Sequence, residues 1–251
     1  MRTLKCLLMV LLAIAANNGV QGKSALPSFL KICSRSDPNL SRCIIDSVYQ
    51  LRPLLAQGIP EFDIPPCEPL VIPEVTIDQG HGPISVKSCY RDIRVYGPSQ
   101  FQIKGIRIEL DKGTLQIKLF LPKLSVNAYY NMNGQIMMMP INGAGLSLGN
   151  YTNIDAILTM KARNIQKDEE IYFHIQDCTV DFNIGHAQLY FQNLFNGNKE
   201  LGDAMNSFLN NNWKTVSSEI KPILEDRLAE IFKKFANKIF HKHPISVLFT
   251  E

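Results

Sequence analysis

The apolar residues of this chain follow a helical spacing first, a strand spacing next and a helical spacing again. From Pro38 to Gln57 they recur every three or four positions, and Gly58 follows as a stop. This spacing predicts an amphipathic helix. Residues 59–73 are rich in proline, which excludes helix and predicts an extended connection from the helix to a sheet.

From about Ile84 to Leu194 the apolar period is two, with polar residues in between. The pattern predicts antiparallel strands with a single buried face. Around Gly105 the phase slips by one, which predicts a bulge that bends its strand. We therefore expect a curved sheet whose concave face is buried.

After Leu194 the helical spacing returns and continues to Ile239. The apolar positions form one broad stripe, so this helical region is expected to be covered. Pro222 lies within it and removes a backbone donor, so we expect a kink or an interruption there.

The first residues form a targeting segment. Two basic residues precede an apolar run from Leu7 to Ala16, and small residues follow at a cleavage spacing. This pattern predicts a signal peptide over residues 1–22 and a secreted, extracellular protein. The run is shorter than the roughly 20 residues of a membrane span, so stable membrane insertion is not expected.

The charge balance gives no reason to expect a nucleic-acid partner. The chain has 26 Lys and Arg against 23 Asp and Glu, and two of the basic residues belong to the predicted leader. A protein near neutrality lacks the electrostatic footprint that binds phosphate backbones.

The cysteines predict one short disulfide. Cys33 and Cys43 flank the turn-forming residues 36–39, which let the chain double back. Such a bridge stabilises the fold by about 2–3 kcal/mol. We interpret Cys67, Cys89 and Cys178 as buried thiols in preference to a second bridge.

One motif suggests a hydrolase. Residues 145–149 match the Gly-x-Ser-x-Gly pattern that places a nucleophilic serine on a turn between strand and helix. The residues after it alternate as a strand, and no repeating strand–helix pattern surrounds them. We interpret the motif as a Gly-rich bend between two strands, and catalysis by Ser147 as a minor alternative; no enzyme activity is expected.

No metal site or other cofactor is expected. His174, Cys178 and His186 lack the tight spacing of a ligand pair. Residues 233–243 form a basic cluster, which we interpret as a solvated helix end that complements the helix dipole.

Two sequons fit the secretory route. They begin at Asn39 and Asn150, and either asparagine is a candidate for N-glycosylation. Asn39 lies in the short predicted loop, so Asn150 is the preferred site.

The chain resembles the takeout and juvenile-hormone-binding proteins of insects. The resemblance is carried by Cys33 and Cys43, by residues 51–61, and by residues 194–214. It implies that residues 23–251 form one α+β domain, in which a highly curved antiparallel β-sheet wraps a long C-terminal helix as a lipid-binding super-roll. It also implies an internal hydrophobic tunnel for a terpenoid hormone or a fatty acid-like lipid.

The leading hypothesis is therefore a monomeric carrier of a small hydrophobic ligand. The alternative is an extracellular module with a filled core that docks a protein or a membrane surface. The Tyr130 hydroxyl is a candidate for a single polar contact. The inward phase of the strands and helices gives the predicted lining of the interior: Val126, Tyr130, Met138, Phe173, Phe182 and Trp213.

Overall fold

The computed structural model describes residues 33–60, 64–79 and 84–248, and the predicted signal peptide lies outside them. The helices are α1 (Leu40–Gln57), α2 (Lys199–Asn211), α3 (Trp213–Phe240) and α4 (Ile245–Leu248). The strands are β1 (Leu70–Gln79), β2 (Ile84–Tyr96), β3 (Gln102–Glu109), β4 (Thr114–Ile136), β5 (Met139–Lys167) and β6 (Glu170–Phe191).

The strands form one antiparallel sheet in the order β1-β2-β4-β5-β6, with β3 paired to β4. The sheet curls into a half-barrel against which the C-terminal helices pack. The predicted α+β class is confirmed, and the register shift between Ile103 and Gly105 confirms the predicted bulge. A second shift opposite Lys161 and Ala162 changes the inward phase of β6.

Helix α1 closes the β3 side of the sheet. It ends at Gly58, where φ is +88°, as the sequence predicts. The Tyr49 hydroxyl accepts a hydrogen bond from the Ile103 backbone N–H at 2.8 Å. The predicted Cys33–Cys43 disulfide is confirmed, with its Cα atoms 6.0 Å apart, and it joins α1 to the preceding segment.

The other cysteines divide into two groups. Cys89 and Cys178 are free thiols, as expected, and burial raises the pKa of Cys178 to about 12. Cys67 is disulfide-bonded, so the expectation of a thiol at that position is wrong.

The outer edge of β6 is closed by side chains of α2 and α3. A strand edge carries unpaired N–H and C=O groups that need partners when they are covered. Three asparagines each accept from the N–H and donate to the C=O of a single β6 residue, as a neighbouring strand would. The pairs are Asn206 with Phe191, Asn210 with Leu189, and Asn237 with Ile175, at 2.6–3.0 Å.

Charged side chains of α3 also bind backbone and side-chain groups of β6. The Phe182 N–H donates to Glu225 at 3.0 Å, and Lys233 donates to the carbonyl of Gln176 at 2.6 Å. Lys221 lies 2.7 Å from Asp181 on β6. Helix α3 therefore lies along most of the length of β6.

The C-terminal helical region is divided at Asn212 and not at Pro222. Helix α3 continues through Pro222, so the predicted interruption at that residue is wrong. At Asn212 the side-chain amide and the backbone N–H both donate to the Phe208 carbonyl. These bonds end α2, and α3 begins at the next residue.

Two histidines join the end of α3 to β6. His174 Nδ1 and His241 Nε2 are 3.0 Å apart, and the two rings are nearly parallel. Burial, and then the charges of His241, Arg163 and Lys233, lower the pKa of His174. Burial likewise lowers the pKa of His243.

We predict that Asn237→Ala lowers the free energy of unfolding by about 2 kcal/mol, because both backbone groups of Ile175 lose their partner. Urea denaturation measures the change. Lys234→Ala, at an exposed position three residues earlier on the same helix, is the matched control and should change stability little. Equal effects of the two substitutions would contradict the proposed role of the edge pairing.

We also predict that the protein loses stability as the pH falls below about 6.5, the pKa of an unperturbed imidazole. Since the folded pKa values of His174 and His243 are lowered, the unfolded chain binds protons first as the pH falls. The stabilisation is complete above that pH. Thermal melting from pH 8 to pH 5 should show a flatter curve for His174→Gln, whereas superimposed curves would refute the prediction.

Candidate functional site

The buried core is split between the two ends of the molecule. One cluster joins α1 and β3 to the C-terminal half of α3, and includes Leu55, Ile117 and Phe235. The other lies near the β4–β5 hairpin, and includes Ile141 and residues of α2. The buried residues of the protein therefore form two distinct hydrophobic clusters.

Between these clusters, helix α3 has no buried side chain. Val216 is buried, and the next buried residue is Phe232, about 24 Å further along the axis. The apolar stripe nevertheless continues through this interval. Its half-buried members are Ile220, Leu224, Leu228 and Ile231. The apolar side chains in the middle of α3 are therefore only partly buried: Leu228 and Ile231 pack against the first cluster, and Ile220 packs against the second.

The sheet face opposite has the same property. Several of its inward-pointing residues are half-buried in the middle of the strands, beside buried neighbours such as Ala128 and Ile154. They are Val126 on β4, Tyr151 on β5, and Val180, Phe182 and Ile184 on β6. These residues pack against the first buried cluster, so partly buried apolar side chains of the sheet and of α3 border the centre of the roll.

Two tyrosines lie among these partly buried residues. Tyr90 and Tyr151 are half-buried, and burial raises the pKa of both phenols. The phenols lie close enough to interact electrostatically.

Small residues on β5 allow neighbouring groups to approach the strand closely. Gly143, Gly145, Ser147 and Gly149 alternate along the inward face. A Cβ at Gly149 would lie 2.8 Å from the Tyr151 ring. Residues 145–149, which match Gly-x-Ser-x-Gly, therefore lie within one continuous strand and place small residues on its inward face. The predicted bend between two strands is wrong.

Ser147 lacks the setting of a nucleophile elbow. It is buried in the middle of β5, and its hydroxyl donates to the Ala128 carbonyl at 3.1 Å. A strand-to-helix turn, which the motif requires, is absent from this described part of the chain.

Tyr151 carries a polar group into the apolar interior. Its hydroxyl makes no hydrogen bond to any described residue, and it keeps some accessible surface. The Tyr90 hydroxyl differs, since it interacts with Ser88. Sequence reasoning missed both tyrosines, although Tyr151 follows the row of small inward residues at the same spacing.

The structure brings two of the predicted lining residues to this space. Val126 and Phe182 lie on the central inward face. Phe173 is buried at one end, where its ring meets Phe240 edge to face and borders a small apolar cavity of about 50 Å³. Whether these residues contact a ligand stays a prediction.

Tyr130 is part of the packed wall. Its hydroxyl donates to the Gln192 carbonyl at 2.8 Å, and its ring meets Phe191 edge to face. Burial raises the pKa of Tyr130 to about 12. The donor expected for a ligand is therefore already engaged with the backbone.

Two predicted lining residues lie elsewhere. Met138 is 90% exposed in the turn between β4 and β5, where its φ of +68° belongs to the turn. Its side chain points to solvent, because the alternation of the strand ends before it. Trp213 is half-buried at the start of α3, and its ring packs against exposed His186.

Three further expectations can be placed. Asn39 and Asn150 are both exposed, and glycosylation stays a prediction at each. No group of three or more metal-binding side chains is found within residues 33–60, 64–79 and 84–248. No helix in the described part of the chain is long and apolar enough to cross a bilayer.

Comparisons with known proteins agree on the family. Residues 7–250 match the sequence profile named haemolymph juvenile hormone binding protein. The Drosophila melanogaster circadian clock-controlled protein daywake is 24% identical over 92% of this chain and 90% of its own. A protein provisionally named beta-carotene-binding protein, from Schistocerca gregaria, is 21% identical over 85% of each chain.

The fold has been solved in a relative. The crystal structure of Epiphyas postvittana Takeout 1 superposes with a TM-score of 0.74 at 27% identity, covering 87% of this chain and 99% of that chain. The resemblance to takeout and juvenile-hormone-binding proteins is therefore confirmed.

The partial burial of the apolar side chains in the middle of α3 predicts that added volume is tolerated there. Leu224→Phe should change the free energy of unfolding by less than about 1 kcal/mol. Leu209→Phe, the same change at a position only 1% exposed, should cost about 1–3 kcal/mol through overpacking. Denaturant unfolding of both variants measures the difference, and an equal loss would mean that the centre is packed.

Proposed function

The chain belongs to the haemolymph juvenile hormone binding protein family, and we propose that it is an extracellular carrier of one small hydrophobic molecule. The molecule lies in a tunnel between the inward face of the sheet and the middle of α3. The observation that carries this proposal is the set of apolar side chains in the middle of α3 and of the facing strands that stay only partly buried although they pack against the buried clusters.

Burial supplies the binding free energy. Each CH₂ group removed from water contributes about 0.8 kcal/mol, so a ligand of some fifteen carbons gains roughly 10 kcal/mol before the costs of association. Those costs leave an affinity in the micromolar to nanomolar range. No charged anchor is needed.

The ligand class is a terpenoid or a fatty acid-like lipid. The family name refers to juvenile hormone, and one relative is named for beta-carotene; both molecules are isoprenoids. The unpaired Tyr151 hydroxyl favours a ligand with one polar group, such as an ester, an epoxide or a hydroxyl, on an otherwise apolar body. An unpaired polar group in such a space is costly, so a ligand that pairs with it gains affinity.

Several observations support an extracellular location. The chain begins with the pattern of a signal peptide, and the Cys33–Cys43 disulfide suits an oxidising compartment. The family name places related proteins in haemolymph. Binding and release, without chemical conversion of the ligand, complete the proposed role.

We predict that Tyr151→Phe weakens binding of a sesquiterpenoid ester about fivefold, which corresponds to about 1 kcal/mol, because one hydrogen bond is lost. Binding of a pure hydrocarbon of similar length should be unchanged. Displacement of a fluorescent apolar probe measures both affinities.

Tyr129→Phe serves as the matched control, since Tyr129 is 61% exposed on the outer face of the same sheet. If the protein takes up neither the probe nor any of these ligands, the carrier proposal fails. If Tyr151→Phe weakens ester and hydrocarbon equally, only the polar-contact assignment fails.

A further inference from the structure

A polar groove lies outside the proposed tunnel, between the outward side of β6 and helix α2. Its volume is about 580 Å³. His186 and Gln188 line it from β6, and Asp203, Ser207 and Asn211 line it from α2. Neither the fold nor the proposed carriage of an apolar molecule accounts for this groove.

The lining suits a neutral ligand rich in hydroxyl groups. The side chains of Gln188, Ser207 and Asn211 make no hydrogen bonds to described residues. Their side-chain amides and hydroxyl are therefore available to a ligand. The Asp203 carboxylate is paired with Lys199 at 2.5 Å. The groove therefore offers several neutral donors and acceptors without an uncompensated charge.

The sequon at Asn150 lies directly beside this groove. Asn150 is exposed on the outward face of β5, and its register partner on β6 is Gln188. The Cβ atoms of such cross-strand partners lie about 5 Å apart. A first sugar on Asn150 is thus within reach of the groove lining.

The side chain of Asn150 is held by a hydrogen bond to its amide oxygen. Ser125, on the opposite neighbour β4, donates to Asn150 Oδ1 at 2.8 Å. Because this bond engages Oδ1, it leaves Nδ2, the atom that carries an N-linked sugar, available on the outward face beside β6. The bond from Ser125 does not use Nδ2 and can persist after glycosylation.

We propose that Asn150 carries an N-linked glycan whose first sugars lie in the groove between β6 and α2. The glycan then contacts both elements at the edge that Asn206 and Asn210 already close, and it braces α2 against the sheet. Asn39, the other sequon, lies in the turn before α1, far along the chain from this groove.

The test uses the full protein secreted from a eukaryotic host. Glycopeptide mapping should find Asn150 occupied. A peptide N-glycosidase should release that glycan from the native wild type about tenfold more slowly than from Ser207→Trp or Asn211→Trp, in which an indole fills the groove; tenfold corresponds to about 1.4 kcal/mol of docking. Both substitutions are at exposed positions of α2, and circular dichroism checks that each variant folds.

A second readout does not depend on the tryptophan variants. Thr152→Ala removes the sequon and leaves Asn150 in place, so amide exchange in α2 should become faster while exchange in α1 stays the same. An unoccupied Asn150, or equal release rates and equal α2 exchange with and without the glycan, would overturn the proposal. Neither result bears on ligand carriage in the interior.

Discussion

The unpaired edge of β6 is the constraint on which the rest of this structure depends. β6 is 22 residues long, and the groups along its outer edge need partners because helices cover them. The amides of Asn206, Asn210 and Asn237 supply those partners in the manner of a neighbouring strand. Helices α2 and α3 are thus fixed in position by hydrogen bonds to an edge.

This attachment is compatible with the proposed ligand space between the sheet and α3. Helices that are held only by apolar packing must approach the sheet until no space is left. Here Glu225 and Lys221 also hold the middle of α3 to β6, so the helix need not collapse onto the sheet there. Gly149 leaves room for the Tyr151 ring in the same region. The proposed ligand would lie against the partly buried apolar side chains there.

The sequence pattern predicts which faces of the strands and helices point inward better than it predicts how closely those faces are packed. The period of two located the inward faces of β4 and β6 correctly, and the helical spacing located α1 and the C-terminal helices. Phase alone does not distinguish Phe173, which is buried at one end, from Phe182, which borders the centre. Met138 was misplaced because the alternation stops where the hairpin turns. The asparagines at the β6 edge bind residues up to 62 positions away in the sequence. A local pattern of residues does not predict contacts over that distance.

The central claim is that the space between the sheet and α3 holds a single apolar molecule. Native mass spectrometry of the protein from a eukaryotic secretory host, before and after organic extraction, tests it most directly. The account predicts one stoichiometric apolar molecule that leaves on extraction, and identification of that molecule would define its chemical class. A protein that is empty as purified, and that remains empty after incubation with a terpenoid ester or a fatty acid, would contradict the account and indicate a filled interior.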